Sequence, residues 1–191
     1  MKKSIGAQTI VYPAPILIVG TYDKSGKPNV MTAAWGGICS SKPPCVTVSL
    51  RKATYSYGNI VENKAYTINI PSEEYVRESD YFGMASGKTE DKFSATGLTP
   101  IESDLVKAPY VKEFPLILEC KLLHTFEIGL HTQFMGEIVD VKVDESVMDA
   151  NGNIDIEKVK PIIFAISSKT YHGIGEKLGD AWSIGKEINL S

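Results

Sequence analysis

Arg51, Lys52, Thr54, Tyr55 and Ser56 follow directly on the apolar run Val46–Leu50, and they carry the first chemical signal in this sequence. Two cations and three hydroxyls, placed where a strand empties into a helix start, suit an oxyanion. Guanidinium and ammonium groups and the free amides of a first helical turn all donate to phosphate oxygens. Upstream lies a second apolar run, Val30–Trp35, in which Thr32, Ala33 and Ala34 are small, and Gly36 and Gly37 follow it. Small side chains let a flat ligand approach the backbone closely. The stretch from Pro28 to Ser56 thus reads as strand, Gly/Ser/Pro-rich connection, strand and helix start. It fits a phosphorylated, ring-bearing cofactor.

Other chemistries lack their parts. The sequence holds no G-x-S-x-G elbow, no Walker loop, no H-E-x-x-H, no paired C-x-x-C and no G-x-G-x-x-G between strand and helix. Hydrolase, metalloenzyme and dinucleotide-fold readings are disfavoured accordingly. A three-histidine metal site would need all of His124, His131 and His172, so no metal site is expected. Cys39, Cys45 and Cys120 are odd in number and irregular in spacing. They read as buried free thiols rather than as a disulfide framework or a zinc site.

The elements that must position these residues fit one well-cored domain over residues 1–191. A net charge of −3, without a basic run, gives no footprint for nucleic acid. Met1, Lys2 and Lys3 are followed by Gln8, Tyr12 and two prolines rather than by an apolar signal-peptide segment. No run approaches the roughly 20 apolar residues that span a bilayer, and a cytoplasmic protein is expected.

Along the chain, Ile16–Tyr22 and Val30–Trp35 flank the turn Asp23–Lys27 and predict a hairpin, with Cys45–Leu50 as a third strand. Thr54 is placed to N-cap a helix reaching Lys64, and Ala65–Ile70 alternates as a strand. Ser72 opens a second helix. Gly87–Phe93 reads as a polar loop entering a helical turn, and Leu98–Tyr110, broken by Pro100 and Pro109, as irregular surface chain. Leu116–Ile128 and Gln133–Val143 predict two long strands, Ile156–Lys160 a short helix, and Ile162–Ile166 a last strand. The glycine-rich tail from Tyr171 reads as an arm. Strands dominate without regular strand–helix alternation, so the fold class is mainly β, an antiparallel barrel with peripheral helices.

The run NVMTAAWGGICSSKPPCVTVSLRKATYS from Asn29, with SGKTEDKF at 86–93 and GLHTQFMGE at 129–137, resembles the flavin reductase-like, FMN-binding split-barrel family, most nearly its flavoredoxin members. The resemblance covers about Pro13 to the tail. It implies a six-stranded Greek-key split barrel, a homodimer, FMN held near the dimer interface, and electron transfer between NAD(P)H or a protein donor and an acceptor. It further implies that Met31, Thr32, Ala33, Ala34 and Trp35 line the isoalloxazine ring, and that Ser49, Arg51, Lys52, Tyr55 and Ser56 hold the ribityl chain and phosphate. Lys92 would be a further basic contact, with Ser86 and Gly87 beside it, and His131 would stand at the nicotinamide side as the catalytic candidate. Leu130 occupies a position where many flavin reductases carry Asp, a departure that weakens an ordinary pyridine-nucleotide contact. The expectation is an FMN-bound electron carrier. Its alternatives are an NAD(P)H:flavin oxidoreductase that releases reduced flavin to a partner monooxygenase, and a non-catalytic module that stores FMN or a related ligand such as haem.

Overall fold

The computed structural model describes residues 1–188, so positions 189–191 of the expected arm lie outside the described residues. The short β1 (Ala14–Pro15) precedes β2 (Leu17–Tyr22), β3 (Pro28–Ala33), β4 (Gly36–Ser41) and β5 (Pro44–Arg51); α1 (Tyr55–Asn63) then leads to β6 (Ala65–Ile70). Next come α2 (Val76–Met84) and α3 (Lys92–Thr96), the small strands β7 (Pro100–Glu102) and β8 (Pro109–Val111), and the long hairpin of β9 (Leu116–Ile128) and β10 (His131–Val143). The chain closes with α4 (Ile156–Val159), β11 (Ile163–Ala165) and β12 (Thr170–His172). Seven strands form the main antiparallel sheet in the order β3-β2-β6-β9-β10-β5-β4.

β2 shows why the sequence folds this way. Leu17 and Val19 point into one cluster with Ala33, Val46, Val48, Leu50, Tyr66, Ile68 and Phe134. Ile16 and Ile18 point into a second cluster with Val30, Phe82, Phe93, Val111, Phe114 and Ile117. A strand covered on both faces reads as a continuous apolar run, and each fully buried Val, Leu or Ile contributes about 1.5–3 kcal/mol. Ala33, from one end of the strand order, packs with Val46 and Val48 near the other end. Ser49 also donates its backbone N–H to the Trp35 carbonyl at 2.8 Å. The sheet therefore curls around the first cluster into a barrel, and α2 and α3 cover its outer side.

Several expectations are corrected. The Gly/Ser-rich connection after Trp35 is the edge strand β4, paired with β5 through a bulge between Ile38 and Ser40. Leu98–Tyr110 does not merely run over the surface: Leu98, Val106 and Ala108 are buried, and β7 pairs with β8. Thr67 Oγ1 donates to the Pro109 carbonyl at 2.6 Å and Asn69 Oδ1 accepts from Val111 N–H at 2.8 Å, tying β8 across β6. A Cβ at Gly20 would overlap the Pro109 carbonyl and Thr67 Oγ1, so only glycine admits this crossing.

Thr54 and Ser72 sit at helix starts without making a side-chain cap bond, and the segment after Ser72 is a 3-10 turn, Glu73–Tyr75, before α2. Ile162–Ile166 is not the last strand, since β12 follows and pairs with β11. Tyr171 packs on Phe164 and donates to Asp80 at 2.7 Å, so the arm begins after β12. Cys45 and Cys120 are buried as expected, whereas Cys39 is exposed on the bulged edge strand.

Candidate functional site

The start of α1 makes one end of the site. The turn before it is held by Thr54, whose N–H and Oγ1 donate to the Arg51 carbonyl at 3.0 and 2.9 Å. First-turn amides have no partner within a helix, and no side chain caps them here. A cavity of about 240 Å³ lies against this turn, lined by Asn29, Met31, Ala53–Ser56, Phe82–Gly87 and Lys92. No carboxylate is among these lining residues. Ser56 is 1% exposed, Asn29 5% and Lys92 4%, and Asn29 Nδ2 donates to Ser56 Oγ at 2.9 Å. Lys92 Nζ donates to the carbonyls of Val30 at 2.8 Å and Phe82 at 2.7 Å. An ammonium has three N–H donors, so one is left for the cavity that Lys92 lines. Burial pushes this ammonium down to about 8. The floor is completed by Gly87, where a Cβ would overlap Asn29 Oδ1.

A second cavity, about 650 Å³ and largely apolar, lies at the other end of the Met31–Trp35 stretch. Ala34, Trp35, Ser49, Ile128 and His131 form its sheet side, and the N-terminal segment from Gln8 to Pro15 contributes the opposite wall. An apolar cavity with an aromatic wall and a few polar groups is the usual setting for a planar ligand.

The structure divides the residues expected along the ring. Met31 lines the small cavity and Ala34 and Trp35 line the large one, but Thr32 turns towards α2, where its hydroxyl donates to the Ser79 carbonyl, and Ala33 is buried in the barrel core. The hydroxyl-bearing and loop residues converge: Tyr55, Ser56, Ser86, Gly87 and Lys92 all line the small cavity. The two cations of the Arg51–Ser56 cluster lie further out. Arg51 is exposed on β5 opposite His131. Lys52 pairs with Glu127 at 2.7 Å and lines a neighbouring groove of about 460 Å³ with Lys24, Lys88 and Tyr57. Tyr55 also lines that groove and donates to Asp23 Oδ2 at 2.9 Å. Although burial opposes it, donors from Ser25, Lys27 and Tyr55 hold the Asp23 carboxyl down to about 2. Asn29 was missed by the sequence reading. Asn29 lies between the expected turn Asp23–Lys27 and the apolar run Val30–Trp35 and carries no local signal, whereas β3 begins at Pro28 and buries it.

The flavin reductase-like domain family matches residues 9–165. The chain belongs to this family. Among solved structures it is similar to the flavoredoxin of Desulfovibrio vulgaris (Miyazaki F), with 56% identity, a TM-score of 0.93, and coverage of 97% of this chain and 100% of that one. It is also similar to the flavoredoxin of Methanosarcina acetivorans, with 30% identity, a TM-score of 0.91, and coverage of 99% and 100%. An uncharacterized protein of Aquifex aeolicus (strain VF5) is 30% identical over 159 residues, 80% of this chain and 81% of the relative. The split-barrel fold and the family resemblance read from the sequence are thereby borne out. Within this flavin reductase-like chain, the donors of the small cavity suit a phosphomonoester. The Trp35-walled cavity suits a flat ring. A ligand joined from those two parts fits the residues present.

Among the described residues no helix is long and apolar enough to cross a membrane, and no three His, Cys, Asp or Glu side chains cluster as metal ligands.

Proposed function

We propose that this flavin reductase-like protein binds FMN and carries electrons through it, from NAD(P)H or a protein donor to an acceptor, as a cytoplasmic homodimer. The buried donor set of Asn29, Ser56 and Lys92 at the head of α1 carries this reading, because it gives a phosphate a built site rather than a solvated surface. The likeness to two flavoredoxins supports the carrier role. When bound, FMN supplies the electron chemistry, and the protein contributes binding, orientation and electrostatics.

Ser56, the first-turn amides of α1 and the third Lys92 N–H hold the phosphate, with Tyr55, Ser86 and Gly87 closing around it. Ser49 and Trp35 orient the ring from the larger cavity, with backbone groups of Met31–Trp35 at its polar edge. The N-terminal segment from Gln8 excludes water from the far side. His131, also on that cavity, faces the entering electron donor. Arg51 and Lys52 act at longer range, drawing an anionic ligand toward the α1 turn. Pairing of two copies is supported by the apolar far end of the β9–β10 hairpin, where Phe126, Ile128 and Leu130 are 59%, 57% and 63% exposed.

The deciding experiment is to express the protein without added flavin, desalt it, and record visible absorbance before and after anaerobic NADH. A yellow protein that bleaches supports the carrier reading with a direct nicotinamide donor. Yellow protein without bleaching leaves a protein donor or storage, and full flavin loss on desalting favours the reductase that releases reduced flavin. Failure to take up added FMN overturns the proposal.

A further inference from the structure

A serine hydroxyl has one proton and two lone pairs and turns to suit its neighbours. That of Ser56, buried at the head of α1, already has a partner: Asn29 Nδ2 donates to it at 2.9 Å. With one lone pair occupied by the carboxamide, the hydroxyl keeps its own proton for another partner. Asn29 is itself fixed. Its Oδ1 has no hydrogen-bond partner and lies under Gly87, where a Cβ would overlap it. Turning the carboxamide over would press its NH₂ group against Gly87, and an orphaned buried N–H is rarer than an under-satisfied carbonyl.

Around Ser56 the cavity offers donors: the first-turn amides of α1 and the free N–H of Lys92, with no carboxylate among the lining residues. A hydroxyl locked as a donor matches that set. A freely turning one does not.

We propose that Asn29 is a positioning residue that locks the Ser56 hydroxyl as a donor toward the cavity, and thereby makes the site select a flavin bearing a phosphomonoester over the same flavin without it. This rests on the FMN reading above. Asn29 acts through Ser56, so its removal changes ligand discrimination, whereas a purely structural role would weaken both ligands alike.

The test compares FMN with riboflavin, by quenching of flavin fluorescence, in the wild type and in Asn29→Asp, Asn29→Ala, Ser56→Ala and the double alanine variant. Asn29→Asp keeps the shape of the side chain. Its carboxylate accepts the Ser56 proton, turns that proton away from the cavity and adds a negative charge. The FMN-over-riboflavin preference should fall by about tenfold to a hundredfold, the range of one hydrogen bond to a charged group, with riboflavin affinity nearly unchanged. Asn29→Ala and Ser56→Ala should each lower the preference, and the double variant should lower it no further than Ser56→Ala alone, as for two groups acting as one. An Asn29→Asp protein with the wild-type preference, additive alanine effects, or equal losses for both ligands would overturn the proposal while leaving FMN binding intact. A wild type that binds both flavins equally, or neither, removes the phosphate reading and this inference with it.

Discussion

Raising the pH should loosen FMN from this protein while leaving riboflavin in place, and Lys92 sets the window. In the ligand-free protein, burial holds its ammonium down to about 8, against 10.5 for an ordinary lysine. A phosphomonoester has its second pKa near 6 and is dianionic above it. Such a dianion beside Lys92 favours the protonated form, so the lysine pKa rises on binding. Below about 8 both forms of the protein hold the proton and affinity is flat. Above it, binding must take up a proton and affinity falls. Return of Lys92 from about 8 to 10.5 is about 2.5 pKa units; at 1.36 kcal/mol per unit this is about 3 kcal/mol, the limiting loss. Between about pH 7 and about pH 9.5 the expected loss is roughly thirtyfold, because only about 1.5 units of the window have been crossed.

In the ligand-free protein Lys92 acts on stability in the opposite sense. Its folded-state pKa lies below the unfolded value, so the unfolded chain holds the extra proton between about 8 and 10.5. The Lys92 contribution to stability therefore rises with pH across that interval and its cost is fully present below it, while the buried Cys45 and Cys120 thiols, raised by burial, contribute in the opposite sense. Titrations of FMN and riboflavin at each pH, with urea melts of the free protein, measure both trends; riboflavin corrects for ionisation of the shared ring. In Lys92→Met the FMN slope should vanish, and the stability of wild type relative to the variant should rise with pH between about 8 and 10.5. An FMN affinity that rises with pH, or the same FMN slope in Lys92→Met as in wild type, would refute the reasoning.

Two further perturbations probe the same architecture. Gly87→Ala sets a Cβ 2.8 Å from Asn29 Cγ and 2.8 Å from Tyr55 Cδ1, and overpacking of this kind costs about 1–3 kcal/mol; a urea midpoint and FMN affinity both equal to wild type would mean that the loop is not seated on Asn29. In the folded protein iodoacetamide should modify Cys39 alone, because burial pushes the Cys45 and Cys120 thiols up while Cys39 is exposed; peptide masses showing equal labelling of all three without denaturant would contradict the burial pattern.

How much of this was legible depends on where a residue's partner lies. β2, β3, β5, β6, β9 and β10 announced themselves because the run of apolar residues is itself the local cause of the strand. β4 did not: Gly36, Gly37, Ser40 and Ser41 carry turn composition, and the strand exists because β5 supplies a paired edge. The site divides in the same way. Arg51, Lys52, Tyr55 and Ser56 were visible as a cluster in sequence, yet the cations of that cluster lie outside the small cavity, and the buried donor is Lys92. Lys92 meets Val30 across 62 residues and Asn29 meets Ser56 across 27, while Thr67 meets Pro109 and Asn69 meets Val111 across 42 each. The three strand residues among them, Asn29, Thr67 and Asn69, are buried, although alternation puts Thr67 and Asn69 on the polar face of their strand and Asn29 precedes the apolar run Val30–Trp35. Neither the burial nor the partner is written locally. A buried polar group must find a hydrogen bond, so each such burial is a statement that some distant segment returns to it. Two of them, Thr67 and Asn69, are answered by β8. Asn29 is answered on one side by Ser56 alone, across 27 residues, and its oxygen under Gly87 has no partner, so no strand neighbour accounts for an amide at this position.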